Sequence, residues 1–98
     1  MDKSAIRIVW TDYFLYRATE RKLDLSQIEK ILRYSSERYV DTDTGSRIAI
    51  GSVENHIILV AYDLIEDGYE VITSHATNRQ QITFRLNSGR YKHETTKD

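Results

Sequence analysis

Between Val71 and His93 the chain carries no carboxylate, yet this stretch holds Arg79, Arg85, Arg90 and Lys92 together with His75 and His93. A second cationic line sits near the N-terminus, where Tyr13, Arg17 and Arg21 are spaced at i, i+4 and i+8 and so share one face of any helix formed there. Together these residues contain what metal-free RNA cleavage requires. A base must take the proton of a 2′-OH, cations must stabilise charge growing on the phosphoryl oxygens, and an acid must protonate the 5′ leaving oxygen. Histidine does proton work near neutrality, the planar fork of arginine matches phosphate, and tyrosine donates a proton or stacks on a base. The same residues also have bland uses. His75 at a strand end could be a hydrogen-bonded surface residue, and Arg17 and Arg21 could be a solvated helix face pairing with Glu20 or Asp24.

Charge distribution sharpens the contrast. Residues 1–70 hold nine Lys/Arg against thirteen Asp/Glu, a balance of −4, whereas residues 71–93 carry +4, so a chain of net charge −1 contains a basic C-terminal segment. Such asymmetry predicts an acidic partner, either nucleic acid or a protein that covers the patch. Other chemistries find little support. There is no cysteine, hence no disulfide framework, thiolate nucleophile or Cys-type zinc site. His56, His75 and His93 are scattered without ligand spacing, and Asp41 and Asp43 supply only part of a calcium loop, so no metal is expected. The four glycines are isolated, which excludes a phosphate-cradling loop, and no nucleophile elbow or cofactor motif occurs.

The length of 98 residues predicts one domain, spanning 1–98, with a frayed polar tail from about Tyr91. No apolar run approaches the roughly 18 residues needed to span a membrane, and Met1-Asp2-Lys3-Ser4 leads into a strand pattern rather than a signal-peptide core. A cytoplasmic protein is the expectation.

The elements that must position these residues read as follows. Ile6, Ile8 and Trp10 alternate with Arg7 and Val9 as a first strand. Thr11 can cap a helix with Asp12 in its first turn and Phe14, Leu15 and Ala18 as its apolar stripe. After a link over Lys22 to Leu25, Ser26-Gln27-Ile28-Glu29 has the capping-box pattern of a second helix, with Ile28, Ile31 and Leu32 facing inward. Arg38-Tyr39-Val40, the alternation around Ile48 and Ile50, and the apolar run Ile57 to Tyr62 are strands, the last buried on both faces. Asp67-Gly68 predicts a hairpin turn, and Tyr69 to Ser74 returns as a strand that delivers His75 at its end. Thr77 or Asn78 can cap a final helix running to about Asn87, with Gly89 ending it, although Ile82, Phe84 and Leu86 also alternate as a strand would. The order β-α-α-β-β-β-β-α predicts an α+β fold: an antiparallel meander of about five strands packed against two N-terminal helices and a C-terminal one. An exposed edge strand could support a homodimer.

Several runs resemble a known family. Ile8-Val9-Trp10-Thr11, then Tyr13-Phe14 with Arg17 and Arg21, then Leu25-Ser26, Ile28-Glu29 and Leu32, and later Asp41 to Gly51, Ile58-Leu59-Val60 and Val71-Ile72-Thr73, resemble a small domain family related to the BrnT-type toxins. That family lies within the RelE-like superfamily of toxin–antitoxin ribonucleases, and the likeness covers about residues 6 to 91. It implies an α+β domain that inhibits translation by cutting RNA, on or off the ribosome, and that is silenced by a small antitoxin protein. Ile72-Thr73-Ser74-His75-Ala76-Thr77-Asn78-Arg79 matches the family's last-strand run, with His75 where an arginine is usual and Arg79 one turn later; Tyr13 stands where the related family often has histidine. The resulting expectation is a metal-independent, cofactor-free endoribonuclease leaving a 2′,3′-cyclic phosphate and a 5′-OH. His75 would be general acid or base, Arg79 and Arg17 would stabilise phosphate or transition state, and Tyr13, Arg21, Arg85 and Arg90 would position RNA. The alternative is a non-catalytic binding module of the same fold, whose basic C-terminal segment docks an acidic partner or nucleic acid.

Overall fold

The computed structural model describes residues 5–94; Met1 to Ser4 and the chain end from Thr95 lie outside the described residues. The elements in chain order are β1 (Arg7–Trp10), α1 (Asp12–Arg21), α2 (Leu25–Tyr34), β2 (Glu37–Asp41), β3 (Arg47–Val53), β4 (His56–Ile65), β5 (Gly68–Thr77), α3 (Arg79–Asn87) and β6 (Tyr91–His93). The fold is α+β, as the patterning predicts. Six strands form one sheet in the order β1-β5-β4-β3-β2-β6. Strands β2 to β5 make the antiparallel meander, β6 adds to it antiparallel at one edge, and β1 closes the other edge parallel to β5. Among the described residues no helix is long and apolar enough to cross a membrane.

The helices occupy both faces of the sheet. On one face, Phe14 and Ala18 of α1 and Ile28, Ile31 and Leu32 of α2 pack on Ala49, Val60, Tyr62 and Val71. On the other, Ile82 of α3 packs among Tyr39, Ile48, Ile50, Leu59, Ala61 and Tyr91. The alternation of β4 supplies both cores at once, which is why its run from Ile57 to Tyr62 is so continuously apolar. Arg38 ties the layers together. It lies over the rings of Tyr62 and Tyr69, donates to the Tyr62 hydroxyl at 2.9 Å and to the Ser35 carbonyl at 3.0 Å, and caps the Leu32 carbonyl at the end of α2.

Helix ends follow local chemistry. Thr11 accepts from the Phe14 amide at the start of α1, and Lys22 closes that helix in the left-handed region at φ 57°. At α2 the cap is Asp24 rather than Ser26: the Asp24 carboxylate accepts from both the backbone amide and the hydroxyl of Ser26, so the helix starts two residues earlier than the capping-box pattern predicts. Asn78 caps α3 through the Gln81 amide. The helical alternative holds for this segment because Ile82 is buried while Phe84 is 66% exposed, a difference helical spacing satisfies and strand alternation does not.

Two further expectations are corrected. Tyr91 does not begin a frayed tail: Tyr91–His93 is strand β6, paired with Asp41, Val40 and Tyr39, because the Tyr91 ring is buried and stacked on Tyr39. The β4–β5 turn falls on Glu66 and Asp67, and only Asp67 has positive φ (60°). Gly68 belongs instead to β5, where a Cβ would sit 1.9 Å from the Arg7 carbonyl oxygen of the neighbouring β1. Glycine is needed there for close approach rather than for its turn-forming freedom. Gly68→Ala is therefore expected to push β1 away from β5 and cost about 1–3 kcal/mol, read as a lower denaturation midpoint. An unchanged midpoint would mean that β1 contributes little to the stability of the sheet.

Candidate functional site

A single irregularity orients the C-terminal strand. Pairing between β4 and β5 runs Leu59↔His75, Val60↔Ser74 and Ala61↔Thr73, then slips so that Tyr62 pairs with Val71. The extra residue, Ile72, makes a bulge, and both Ile72 and Thr73 open toward the α3 side while Val71 fills the α1/α2 side. Past the bulge the alternation has changed phase. Ser74 faces the helical pair, and His75 and Thr77 face α3. Without the extra residue, Val71, Thr73 and His75 would all lie on one face.

The α3 side of the sheet carries a cleft of about 310 Å³. Its floor is apolar, from Ile48, Leu59, Ala61 and Ile72; one wall is β5 with Thr73, His75 and Thr77; the other is α3 with Gln81 and Arg85. Thr44, Ser46, Asp41, Arg90 and Tyr91 close one end. The cleft thus runs across the sheet from β5 toward the edge at β6, against which α3 packs. The Nδ1 of His75 is 3.2 Å from the Ala76 carbonyl oxygen; a carbonyl only accepts, so Nδ1 carries the proton of the neutral ring and Nε2 is left as acceptor. Tyr91 presents its hydroxyl without a protein hydrogen bond among the described residues, and burial pushes its phenol above the ordinary value, so it stays protonated.

The cations of the basic segment differ sharply in what surrounds them. Arg90 forms a two-pronged pair with Asp41, Nε to Oδ1 at 3.1 Å and Nη2 to Oδ2 at 3.0 Å, and also approaches Asp43 at 3.5 Å. Arg79 donates to Glu37 at 2.7 Å, and the same Glu37 oxygen accepts from Tyr39 at 2.6 Å. Burial, with the Glu37 bond second, pushes the Tyr39 phenol up to about 12, which keeps it a donor. Arg85 has no carboxylate partner among the described residues; its guanidinium lies 5.9 Å from the centre of the Tyr91 ring. The carboxylates expected of an external partner thus come, for Arg79 and Arg90, from β2 and the turn after it.

The remaining expected site residues are on the other side of the sheet. Arg17 is held by the Tyr13 hydroxyl at 3.0 Å and by Glu20 at 3.7 Å, both along α1. Arg21 reaches from α1 to the Ser74 carbonyl at 3.3 Å, bracing β5 next to His75 from behind. The structure therefore brings His75, Arg85 and Arg90 to one cleft, sets Arg79 against Glu37 at the start of α3, and separates Tyr13, Arg17 and Arg21 from them. Tyr91, Gln81, Thr73 and Thr77 join the cleft without having been singled out. Their signal was hidden: the bulge cannot be read from alternation, and Tyr91 looked like tail. Among the described residues no group of His, Asp and Glu could hold a metal. No protein-family model, curated protein or solved structure matches this chain.

Two carboxylates fasten the ends of α3, and both are held below their ordinary values. For Glu37, ordinarily 4.5, the Arg79 bond is the main cause and outweighs burial. For Asp41, ordinarily 3.8, burial is the largest influence and acts upward, but Arg90 and the backbone amides of Asp43 and Thr44 together outweigh it. A depressed folded pKa gives stability that is complete above the unfolded value and lost as pH falls through the folded one. The thermal midpoint is thus expected to fall as pH is lowered from about 5 to about 3. Glu37→Gln/Asp41→Asn should start lower at pH 7 and lose less over that interval. Parallel acid curves for the two proteins would show that these pairs do not hold α3.

Proposed function

We propose that this chain is a metal-independent endoribonuclease of the RelE/BrnT-like kind, the toxin of a toxin–antitoxin pair that acts on RNA in the cytoplasm. The observation that carries the proposal is the cleft that sets His75, with Nε2 left as acceptor, on one wall and Arg85, which has no carboxylate partner among the described residues, on the other. In this mechanism Nε2 takes the proton of a 2′-OH, and the 2′ oxygen attacks the adjacent phosphorus. Arg85 binds the non-bridging oxygens from the opposite wall, where its fork matches the growing negative charge. The bond to the 5′ oxygen breaks, that oxygen takes a proton from water in the open cleft, and His75 returns its proton to solvent. The products are a 2′,3′-cyclic phosphate and a 5′-OH. Arg90, locked to Asp41, shapes the end of the cleft. Arg79 and Arg17 are supports in this scheme, and Arg21 positions β5.

The pairing of Arg79 with Glu37 removes one of the cations expected at the reacting phosphate and so supports a second reading, a binding module that holds RNA or the acidic surface of a small partner protein through the rest of the cleft without cutting it. One experiment separates the two. The full chain is incubated with a 5′-labelled RNA in the presence of a chelator, and the fragments are tested for cyclic phosphate ends. Cleavage should fall by about 10²–10⁴-fold in His75→Ala, the usual contribution of a positioned base, and strongly in Arg85→Ala, while Arg17→Ala remains close to wild type. Binding without cleavage by wild-type protein would leave the module; cleavage that survives His75→Ala would overturn the assigned base.

A further inference from the structure

The hydroxyl of Tyr91 contributes nothing that the fold requires. Tyr91 is only 6% exposed, its ring stacks on Tyr39 with centroids 5.7 Å apart, and it packs in the core with Ile48, Leu59 and Ile82. A phenylalanine would supply all of that packing, whereas a buried phenol usually finds a partner for its O–H. This one has no protein hydrogen bond among the described residues. Among those residues no side-chain oxygen is both sealed from solvent and unpaired, so the hydroxyl opens onto the cleft that Tyr91 lines. The surroundings select what it would bind. The Arg85 guanidinium lies 5.9 Å from the centre of the Tyr91 ring, so a tetrahedral anion can touch the guanidinium and the hydroxyl together. The charged side chains lining the cleft are Arg85, Arg90 and Asp41, and the two-pronged pair of Arg90 with Asp41 offsets one charge against the other. Burial keeps the phenol above its ordinary value, so at neutral pH it is a donor.

We infer that the Tyr91 hydroxyl and the Arg85 guanidinium grip one and the same phosphate group, the tyrosine as a neutral donor and the arginine as the cation. The inference rests on the cleft receiving RNA and adds a second contact to the phosphate that Arg85 holds. A phosphate presents acceptor oxygens and negative charge, and this pair presents only donors and positive charge. The two donors come from different elements, β6 and α3, and their directions differ. Together they fix the orientation of the phosphate, which a single guanidinium on a flexible side chain does not. The stacking of Tyr91 on Tyr39 holds the hydroxyl in place before any ligand arrives.

The test uses the full chain and two fluorescent 2′-O-methyl uridine strands of equal length, which cannot be cleaved. One has ordinary phosphodiester links and the other methylphosphonate links, in which a methyl group replaces the charged oxygen. Binding is followed by anisotropy at low salt. Tyr91→Phe should weaken the phosphodiester strand by about 10- to 100-fold, the range for a hydrogen bond to a charged group, and leave the methylphosphonate strand unchanged. Its thermal midpoint should equal or exceed that of wild type, since the hydroxyl has no partner to lose. Arg85→Ala should lower the slope of log affinity against log salt by about 0.7, one phosphate on a single strand, while Tyr91→Phe leaves that slope alone. In the double variant the two losses should fall short of their sum, because both groups serve one phosphate. Equal weakening of both strands, or of neither, overturns the inference, as does a clear fall in the Tyr91→Phe midpoint. Additive losses would put the two groups on different phosphates and overturn it too. The ribonuclease proposal fails separately, through cleavage that is absent or indifferent to His75→Ala; phosphate-dependent binding through Tyr91 would survive that result. If wild type binds the phosphodiester strand no better than the other, the phosphate grip falls.

Discussion

The extra residue in β5 opposite Ala61 and Tyr62 is the constraint on which the arrangement of this molecule turns. β4 and β5 are the longest strands and lie inside the sheet, so the phase of their pairing decides what each face contains. Before the bulge, Val71 completes the core under α1 and α2. After it, Ser74 takes that side and His75 turns to the cleft. A strand has a side-chain period of two, so a shift of one residue moves every following side chain to the opposite face. The bulge therefore joins two demands that a regular strand could not meet together: a filled apolar core in its first half and a polar wall in its second.

The second organising feature is electrostatic. The basic C-terminal segment folds back over acids that precede it in sequence, Arg79 onto Glu37 and Arg90 onto Asp41 and Asp43. Asp41 is the most demanding of these, because its side chain is only 6% exposed and a buried carboxylate needs its charge matched. A two-pronged arginine, together with the backbone amides of the following turn, supplies that match. The consequence is a site with far less free positive charge than composition promises. Among the described residues of the cleft, Arg85 is the arginine left without a carboxylate partner.

The two helical layers divide labour for the same reason. α1 and α2 present strong apolar faces and make the larger core, so cations on their outer surfaces serve the helices themselves, as in the Tyr13–Arg17–Glu20 set. α3 buries little, is fastened at its ends by ion pairs, and contributes the polar side chains of Gln81 and Arg85 to the cleft.

Sequence alone determined the class and most of the elements. Hydrophobic period separates α1 and α2 from β2 to β5, Thr11 and Asn78 are caps by their chemistry, and the doubly apolar run from Ile57 marks the central strand. These are local properties, set by neighbours within a few residues. What the sequence did not contain in readable form was distance between remote segments. The parallel docking of β1, the recruitment of Tyr91 into β6, the bulge that turns His75, and the pairing of Arg90 with an acid 49 residues away all arise only when the sheet closes. Arg17 and Arg85 are equivalent as letters in a sequence. Their placement on opposite sides of one sheet, one paired with a carboxylate and the other without such a partner among the described residues, is a property of the tertiary structure, because charge and proton chemistry depend on what stands within a few ångströms.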